Sequence, residues 1–348
     1  MLKIWLDALT SKQALLMLSL ARKLRKKGYE TIITCRKYEY TESLLKLFME
    51  KHVCLGKYGG RSLVGKLRED IKRMNKLVKY VKEEKPSILI SYPSPSAVRV
   101  AFGLKIPVII MTDTPHAEEV SRLTLPLADY VIYSKCIPQN AIGRFILKKY
   151  VKEVTYNGVD ELEWIDDSFI NSLGEKETLK DLGISKKDKI IIFRPEEEKA
   201  AYYRFKPVYK SVLESLSKEN IVVVFLPRYT SQKQYALKYS NVIVPEKAIN
   251  IRVLFKQTLT VISGGASLAR EASLYGIPSL SYFPKKLHVS ECVKKWGFPL
   301  HQARSLTDIL GFIRDVIGGK ITKKLPKNIL RKLQKPSDAV FKILEETK

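Results

Sequence analysis

The sequence is short of the residues that announce chemistry most simply. It has four cysteines and four histidines. Cys35, Cys54, Cys136 and Cys292 are scattered, with no Cys-x-x-Cys pair. That excludes the common zinc and dithiol-redox spacings and leads us to expect reduced, mostly buried thiols and a cytoplasmic location. His288 and His301 show no metal-ligand spacing, and His52 stands alone. No run approaches the roughly 18 apolar residues that span a bilayer. The stretch "ALLMLSLA" (Ala14–Ala21) has the length of a signal core. Asp7 and Lys12 precede it, Arg22-Lys23 ends it and no small-residue cleavage site follows, so it reads as a helix. Acidic residues are outnumbered, 36 against 62 Lys and Arg, for a formal charge of +26. Such a charge fits a lysine-rich solvated surface or an anionic partner such as membrane headgroups or a phosphorylated substrate. Nucleic acid is disfavoured, because no basic face with interleaved aromatics and no known binding module is present.

What is present is alternation. "LKIWL" (Leu2–Leu6), "ETIITC" (Glu30–Cys35), a short run near Val53, "PSILIS" (Pro86–Ser91), "PVIIMT" (Pro107–Thr112) and "DYVIYS" (Asp129–Ser134) read as strands separated by helices. The pattern breaks near Tyr156-Asn157-Gly158. It restarts with "KIIIFRP" (Lys189–Pro195), "IVVVFLP" (Ile221–Pro227), "NVIVP" (Asn241–Pro245), "LTVIS" (Leu259–Ser263) and "PSLSYF" (Pro278–Phe283). Short apolar strands alternating with helices imply parallel sheets covered on both faces. We therefore expect an α/β protein of two Rossmann-like domains facing a cleft. The expected boundaries are 1–160 for the first domain, 161–188 for a linker, 189–324 for the second domain and 325–348 for a helical tail. The helix after "YGGRSLVG" (Tyr58–Gly65) shows an apolar stripe at Leu67, Ile71, Met74, Val78 and Val81. A basic stripe at Arg68, Lys72, Lys76 and Lys79 lies opposite, and would suit anionic headgroups.

Ligands of such folds bind at the carboxyl ends of the strands. The candidates there are Asp7, Thr10, Lys12, Ser91, Tyr92, Asp113 and His116 in the first half, and Arg194, Glu196 and Arg228 in the second. The segment "VISGGASLAREASLYGIPSLSY" (Val261–Tyr282) is the most informative. A strand runs into two glycines and then a helix bearing Glu271, which ends at Gly276. Glycines before a helix N-terminus bring backbone amides close to an anion. Ser263, Gly264, Gly265, Ala266 and Ser267 would cradle phosphate, and Glu271 would accept sugar hydroxyls. A tight turn would equally use the glycines, and Glu271 could simply pair with a lysine. Arg194 and Arg228 read as one phosphate clamp and one structural ion pair. Tyr202 and Tyr203 suit base stacking or packing. His116 suits a general base or a surface position near a capping Asp113.

The second-half segment resembles the donor site of GT-B-fold enzymes. These include nucleotide-sugar glycosyltransferases, such as the undecaprenyl-lipid N-acetylglucosaminyltransferase, and non-hydrolysing UDP-N-acetylglucosamine 2-epimerases. The matching positions are Ser263, Gly264, Glu271, Gly276 and Pro278. Over nearly its whole length the chain resembles domain-of-unknown-function family 354, through "GGRSLVGKL", "RLTLPLADYVI", "FRPEEEKAAYY", "VVFLPRY" and "IWLDALTSKQALL". The resemblance implies a GT-B-like fold and a nucleotide sugar as substrate, with no cofactor and no metal, since the Asp-x-Asp site of the other transferase fold is missing. "EEVSR" (Glu118–Arg122) resembles the epimerase segment whose first Glu is an active-site acid, here Glu118. The epimerase histidine loop has no counterpart, Phe193-Arg194-Pro195-Glu196 standing in its place. The first glycine-rich loop of the lipid-linked transferase is replaced by "LDALTSKQ", with Lys12 as a phosphate contact. A glycosyltransferase with Asp113, His116 or Glu118 as base is therefore the expectation. Its acceptor would be a lipid-linked or other sugar, and it would touch the inner face of the membrane peripherally. An epimerase-like enzyme or a non-catalytic nucleotide-sugar-binding protein is the alternative.

Overall fold

A computed structural model describes residues 2–60, 62–198 and 207–346. The chain forms two compact units, Met1–Trp164 with Leu333–Lys348, and Ile165–Lys332. The first holds β1 (Lys3–Ala8), β2 (Glu30–Lys37), β3 (Val53–Lys57), β4 (Ile88–Ser91), β5 (Val108–Thr112), β6 (Tyr130–Ser134) and β7 (Lys152–Tyr156). All are parallel, in the order β3-β2-β1-β4-β5-β6-β7. The second holds β8 (Ile190–Arg194), β9 (Val222–Phe225), β10 (Val242–Ile243), β11 (Thr258–Ser263), β12 (Ser279–Ser281) and β13 (Leu300–Gln302). These are also parallel, in the order β10-β9-β8-β11-β12-β13.

The central strands are buried on both faces, which is why they read as unbroken apolar runs. Ile190, Ile191, Ile192 and Phe193 of β8 are inaccessible, as are Ile4, Trp5 and Leu6 of β1. In the second unit, alternate β8 residues feed two cores. Ile191 and Phe193 pack with Val212, Leu216 and Ile313 on one side, and Ile190 and Ile192 pack with Leu254 and Ala272 on the other. Ala14–Ala21 lies within the helix Ser11–Lys26 and is buried throughout. Among the described residues, no helix is long and apolar enough to cross a membrane.

A buried ion pair anchors the first unit. Arg73, from the helix Leu63–Glu84, bonds through its guanidinium to Asp7 at the end of β1, and both are buried. The remaining guanidinium N–H groups reach the Leu55 carbonyl at 3.0 Å and the Ser96 hydroxyl at 2.8 Å. Asp7 also accepts from Thr34, whose hydroxyl in turn accepts from the Trp5 indole at 2.7 Å. Asp7 is thus committed to structure rather than to a ligand. Of the apolar stripe of this helix, Val81 is buried together with Arg73 and Leu77, while Leu67, Ile71 and Val78 are exposed. Arg73 must reach Asp7, and that fixes the helix in this rotation.

The chain returns to the first unit at its end. Asn157 and Gln334 exchange two hydrogen bonds of 2.7 and 2.8 Å. A Cβ on Gly158 would lie 2.1 Å from the Gln334 carbonyl oxygen, so the break in pattern at Gly158 marks where this segment crosses. Glu163 then accepts from Lys23 at 2.6 Å and from the Ser337 amide at 2.9 Å, at the start of the helix Pro336–Glu346. Cys35 and Cys54 are free thiols at paired positions of β2 and β3.

Replacing Asp7 by Ala strands a buried guanidinium charge, and should lower unfolding stability by about 3–5 kcal/mol. A urea midpoint within error of the parent protein would show that this pair does not anchor the sheet.

Candidate functional site

Both sheets reverse their winding between their first and fourth strands, at β1/β4 and at β8/β11. Loops leaving neighbouring strands in opposite directions open a crevice at the carboxyl edge. In the second unit those loops are Arg194–Glu196 and Ser263–Ala266. The Gly264 amide donates to the Arg194 carbonyl at 2.9 Å. A Cβ on Gly264 would lie 2.4 Å from the Glu196 backbone. Gly264 is therefore demanded by close packing of two loops. Its neighbour differs: a Cβ on Gly265 would meet no backbone, only the side chains of Arg228 at 3.4 Å and Ser263 at 3.8 Å.

Arg228 knits the edge together. Its Nε donates to the Pro195 carbonyl at 3.1 Å, and its Nη1 lies 3.6 Å from Glu197. The Gly265 amide donates to the Ser263 hydroxyl at 3.1 Å. Ala266 then opens the helix Ser267–Leu274 with no side-chain cap, so the first-turn amides carry the positive end of the helix without a side-chain acceptor. Glu196 is a buried carboxylate that accepts from the Val208 and Tyr209 amides at 2.5 and 3.3 Å and from the Tyr282 hydroxyl at 2.5 Å. It holds the β8 loop rather than pointing at a ligand. Arg194 ends β8, half-buried. Tyr202 and Tyr203 lie outside the described residues.

Glu271 faces Arg252, Oε1 to Nη2, at 2.6 Å, and both are buried. Its expected partner as a plain helix residue was a lysine; the partner is an arginine from the short turn Ile251–Leu254. Nothing in the sequence around Arg252 signals this. Burial, and the nearby Glu271 charge, push the Tyr275 hydroxyl well above its ordinary pKa, so it is a neutral donor to Asn171 at 2.6 Å.

In the first unit the strand ends gather a different set. Thr10 caps the helix Ser11–Lys26, accepting from the Gln13 amide at 3.4 Å while Gln13 accepts from the Leu9 amide at 2.7 Å. That places Lys12 one turn from β1. Its ammonium lies 2.5 Å from Asp113 and 2.6 Å from Asp160, and donates to the Tyr92 hydroxyl at 3.1 Å. Tyr156 donates to the other Asp160 oxygen at 2.6 Å, and full burial raises its pKa well above the ordinary value. Two carboxylates surround the charge of Lys12, the residue expected to contact phosphate. Lys12 and Asp113 are brought together, with Asp160 and Tyr156 as partners not foreseen. Their strand, β7, was not recognised, so its carboxyl end went unexamined. His116 and Glu118 follow Asp113 at exposed positions, Glu118 opening the helix Glu118–Thr124.

Two parallel sheets of this winding define a GT-B-like protein. The chain belongs to the family described as Protein of unknown function (DUF354), whose model matches residues 2–347. An uncharacterized protein of Methanocaldococcus jannaschii, MJ0665, is 28% identical over 345 residues, covering 98% of this chain and 97% of that protein. The fold is similar to the M. jannaschii UDP-GlcNAc 2-epimerase solved with UDP-GlcNAc and UDP, at 14% identity, TM-score 0.70, covering 99% of this chain and 100% of that one. It is also similar to a Rickettsia africae glycosyltransferase, at 10% identity, TM-score 0.60, covering 99% and 97%.

The two glycines should separate on substitution. Gly264→Ala forces two backbones apart and should cost roughly 1–3 kcal/mol of stability. Gly265→Ala, whose methyl group meets side chains at ordinary contact distance, should stay within about 0.5 kcal/mol. Equal melting shifts for the two variants would refute the distinction.

Proposed function

We propose that this chain binds a nucleotide-diphosphate sugar on its second unit and transfers the sugar to an acceptor. One observation carries the reading. At the β8/β11 reversal, an uncapped helix N-terminus, the Ser263–Ala266 turn and the Arg228 guanidinium converge. Amides and a guanidinium suit a diphosphate. Glu271, held by Arg252, is the acceptor for ribose hydroxyls, and Ser267 and Arg194 flank the phosphates. The likeness to proteins solved with UDP and UDP-GlcNAc supports this choice of ligand. Transfer needs a held donor, charge stabilisation for the departing diphosphate and one base for the acceptor hydroxyl. Asp113, His116 and Glu118 are the candidate bases, on the unit assigned to the acceptor. The acceptor is a lipid-linked or other sugar, and the protein is cytoplasmic, in peripheral contact with the inner face of the membrane.

A second reading, sugar epimerisation, is favoured by the Lys12, Asp113, Asp160 and Tyr156 cluster, a set of groups able to hold and move a proton. Incubation with UDP-GlcNAc in heavy water separates the two. Transfer releases UDP only when an acceptor is supplied. Deuterium entering the sugar without acceptor, and lost in Asp113→Asn or Glu118→Gln, would establish epimerisation instead.

The donor site has its own test. Glu271→Gln keeps the shape of the side chain, whereas Glu271→Ala would leave Arg252 buried without a partner. The Gln variant should weaken UDP binding by roughly 1.5–3 kcal/mol by calorimetry, the range for hydrogen bonds to charged groups. An unchanged dissociation constant would remove Glu271 from the site.

A further inference from the structure

The helix Leu63–Glu84 exposes a surface that sugar chemistry does not use. Leu63, Val64, Leu67, Ile71 and Val78 are all exposed, between 41% and 81%. With 3.6 residues per turn, these positions and half-buried Met74 fall within about 100° of the helix circumference. From Leu63 to Val78 the stripe runs roughly 22 Å along the axis. Arg68 and Lys79 are exposed along one edge of it, and Lys72 and Lys76 are exposed further round the helix, with Lys72 bridged to Glu69 at 3.0 Å. The anchoring of Arg73 on Asp7 turns this stripe outward. Contiguous exposed apolar residues rimmed by charge mark a docking surface, whereas single exposed leucines need no explanation.

We propose that this helix docks the protein on an anionic lipid bilayer. The apolar stripe lies at the boundary of headgroups and acyl chains, Arg68 and Lys79 lie among the headgroups, and Lys72 and Lys76 add to the positive field. Charge selects this occupant. A second copy of the chain would bring the same basic edge, on a molecule of formal charge +26, against itself. A nucleic acid would satisfy the basic edge and leave the leucines in water. An anionic bilayer satisfies both at once. The inference deepens the peripheral location proposed above, yet does not need the sugar chemistry, since vesicle binding and UDP binding are measured separately.

The test is flotation at low salt with vesicles of phosphatidylcholine alone and of phosphatidylcholine with phosphatidylglycerol. We expect binding only with phosphatidylglycerol. The combined Arg68→Glu, Lys76→Glu, Lys79→Glu variant should lose on the order of 100-fold in partitioning. The combined Leu63→Ser, Leu67→Ser, Ile71→Ser variant should lose about tenfold or more. Circular dichroism and UDP titration should be unchanged in both, because these side chains are exposed and remote in sequence from the donor loops. In Leu67→Trp, the indole emission should shift to the blue with anionic vesicles. Equal binding to uncharged vesicles overturns the proposal, as does full binding by the serine variant. So does a wild-type dimer that the serine variant converts to monomer, which would assign the stripe to a second copy.

Discussion

The second unit depends on how closely the loops after β8 and β11 approach. They meet backbone to backbone, with Gly264 against Glu196. Everything else at that edge is arranged around this contact. Glu196, drawn inward, spends its carboxylate on the Val208 and Tyr209 amides and the Tyr282 hydroxyl, which ties β12 to the same point. Arg228 closes over the outer side through the Pro195 carbonyl. What stays open is the next residue, Gly265, and the start of the helix behind it. The glycine pair therefore has two physical meanings. The first glycine permits assembly, and the second leaves room above a positive helix end.

The first unit has the same strand order and solves the same reversal without glycine. Its β1 loop is Leu9-Thr10, capped reciprocally with Gln13. Behind it, the Asp7–Arg73 pair replaces backbone contact with a buried ion pair whose guanidinium also donates to Leu55, Ser94 and Ser96. A buried pair of this kind is costly to desolvate and holds only when its geometry is complete. The one lysine nearby is surrounded by Asp113 and Asp160. The same topology thus produces an edge suited to an anion in one unit and an edge rich in carboxylate in the other.

Much of this was legible in the sequence where a physical signal was strong and local. The buried strands announced themselves as β-branched runs, and the turn at Ser263–Ala266 as glycines before a helix. What stayed hidden lacked such a signal. β7, "KEVTY", is a solvated edge strand with little apolar content, so its end, and Asp160 with it, escaped notice. β13 is only Leu300–Gln302. Arg252 and Arg73 reach their carboxylates across 19 and 66 positions of sequence, and no spacing rule connects them. The helix Leu63–Glu84 misled for a related reason. Its apolar period is real, but periodicity cannot say which face turns inward when a buried arginine takes the inner position.

The division of charge between the two edges bears on which reaction is physically reasonable. A leaving diphosphate needs positive potential where its charge develops. In the first unit the positive centre, Lys12, is outnumbered by two carboxylates at contact distance, so it offers little to an anion. In the second unit, Arg228 lies 3.6 Å from Glu197, and the helix amides add partial positive charge. The edge of the first unit thus gathers carboxylates around its lysine, while the edge of the second sets a guanidinium and the amides of a helix start beside Gly265.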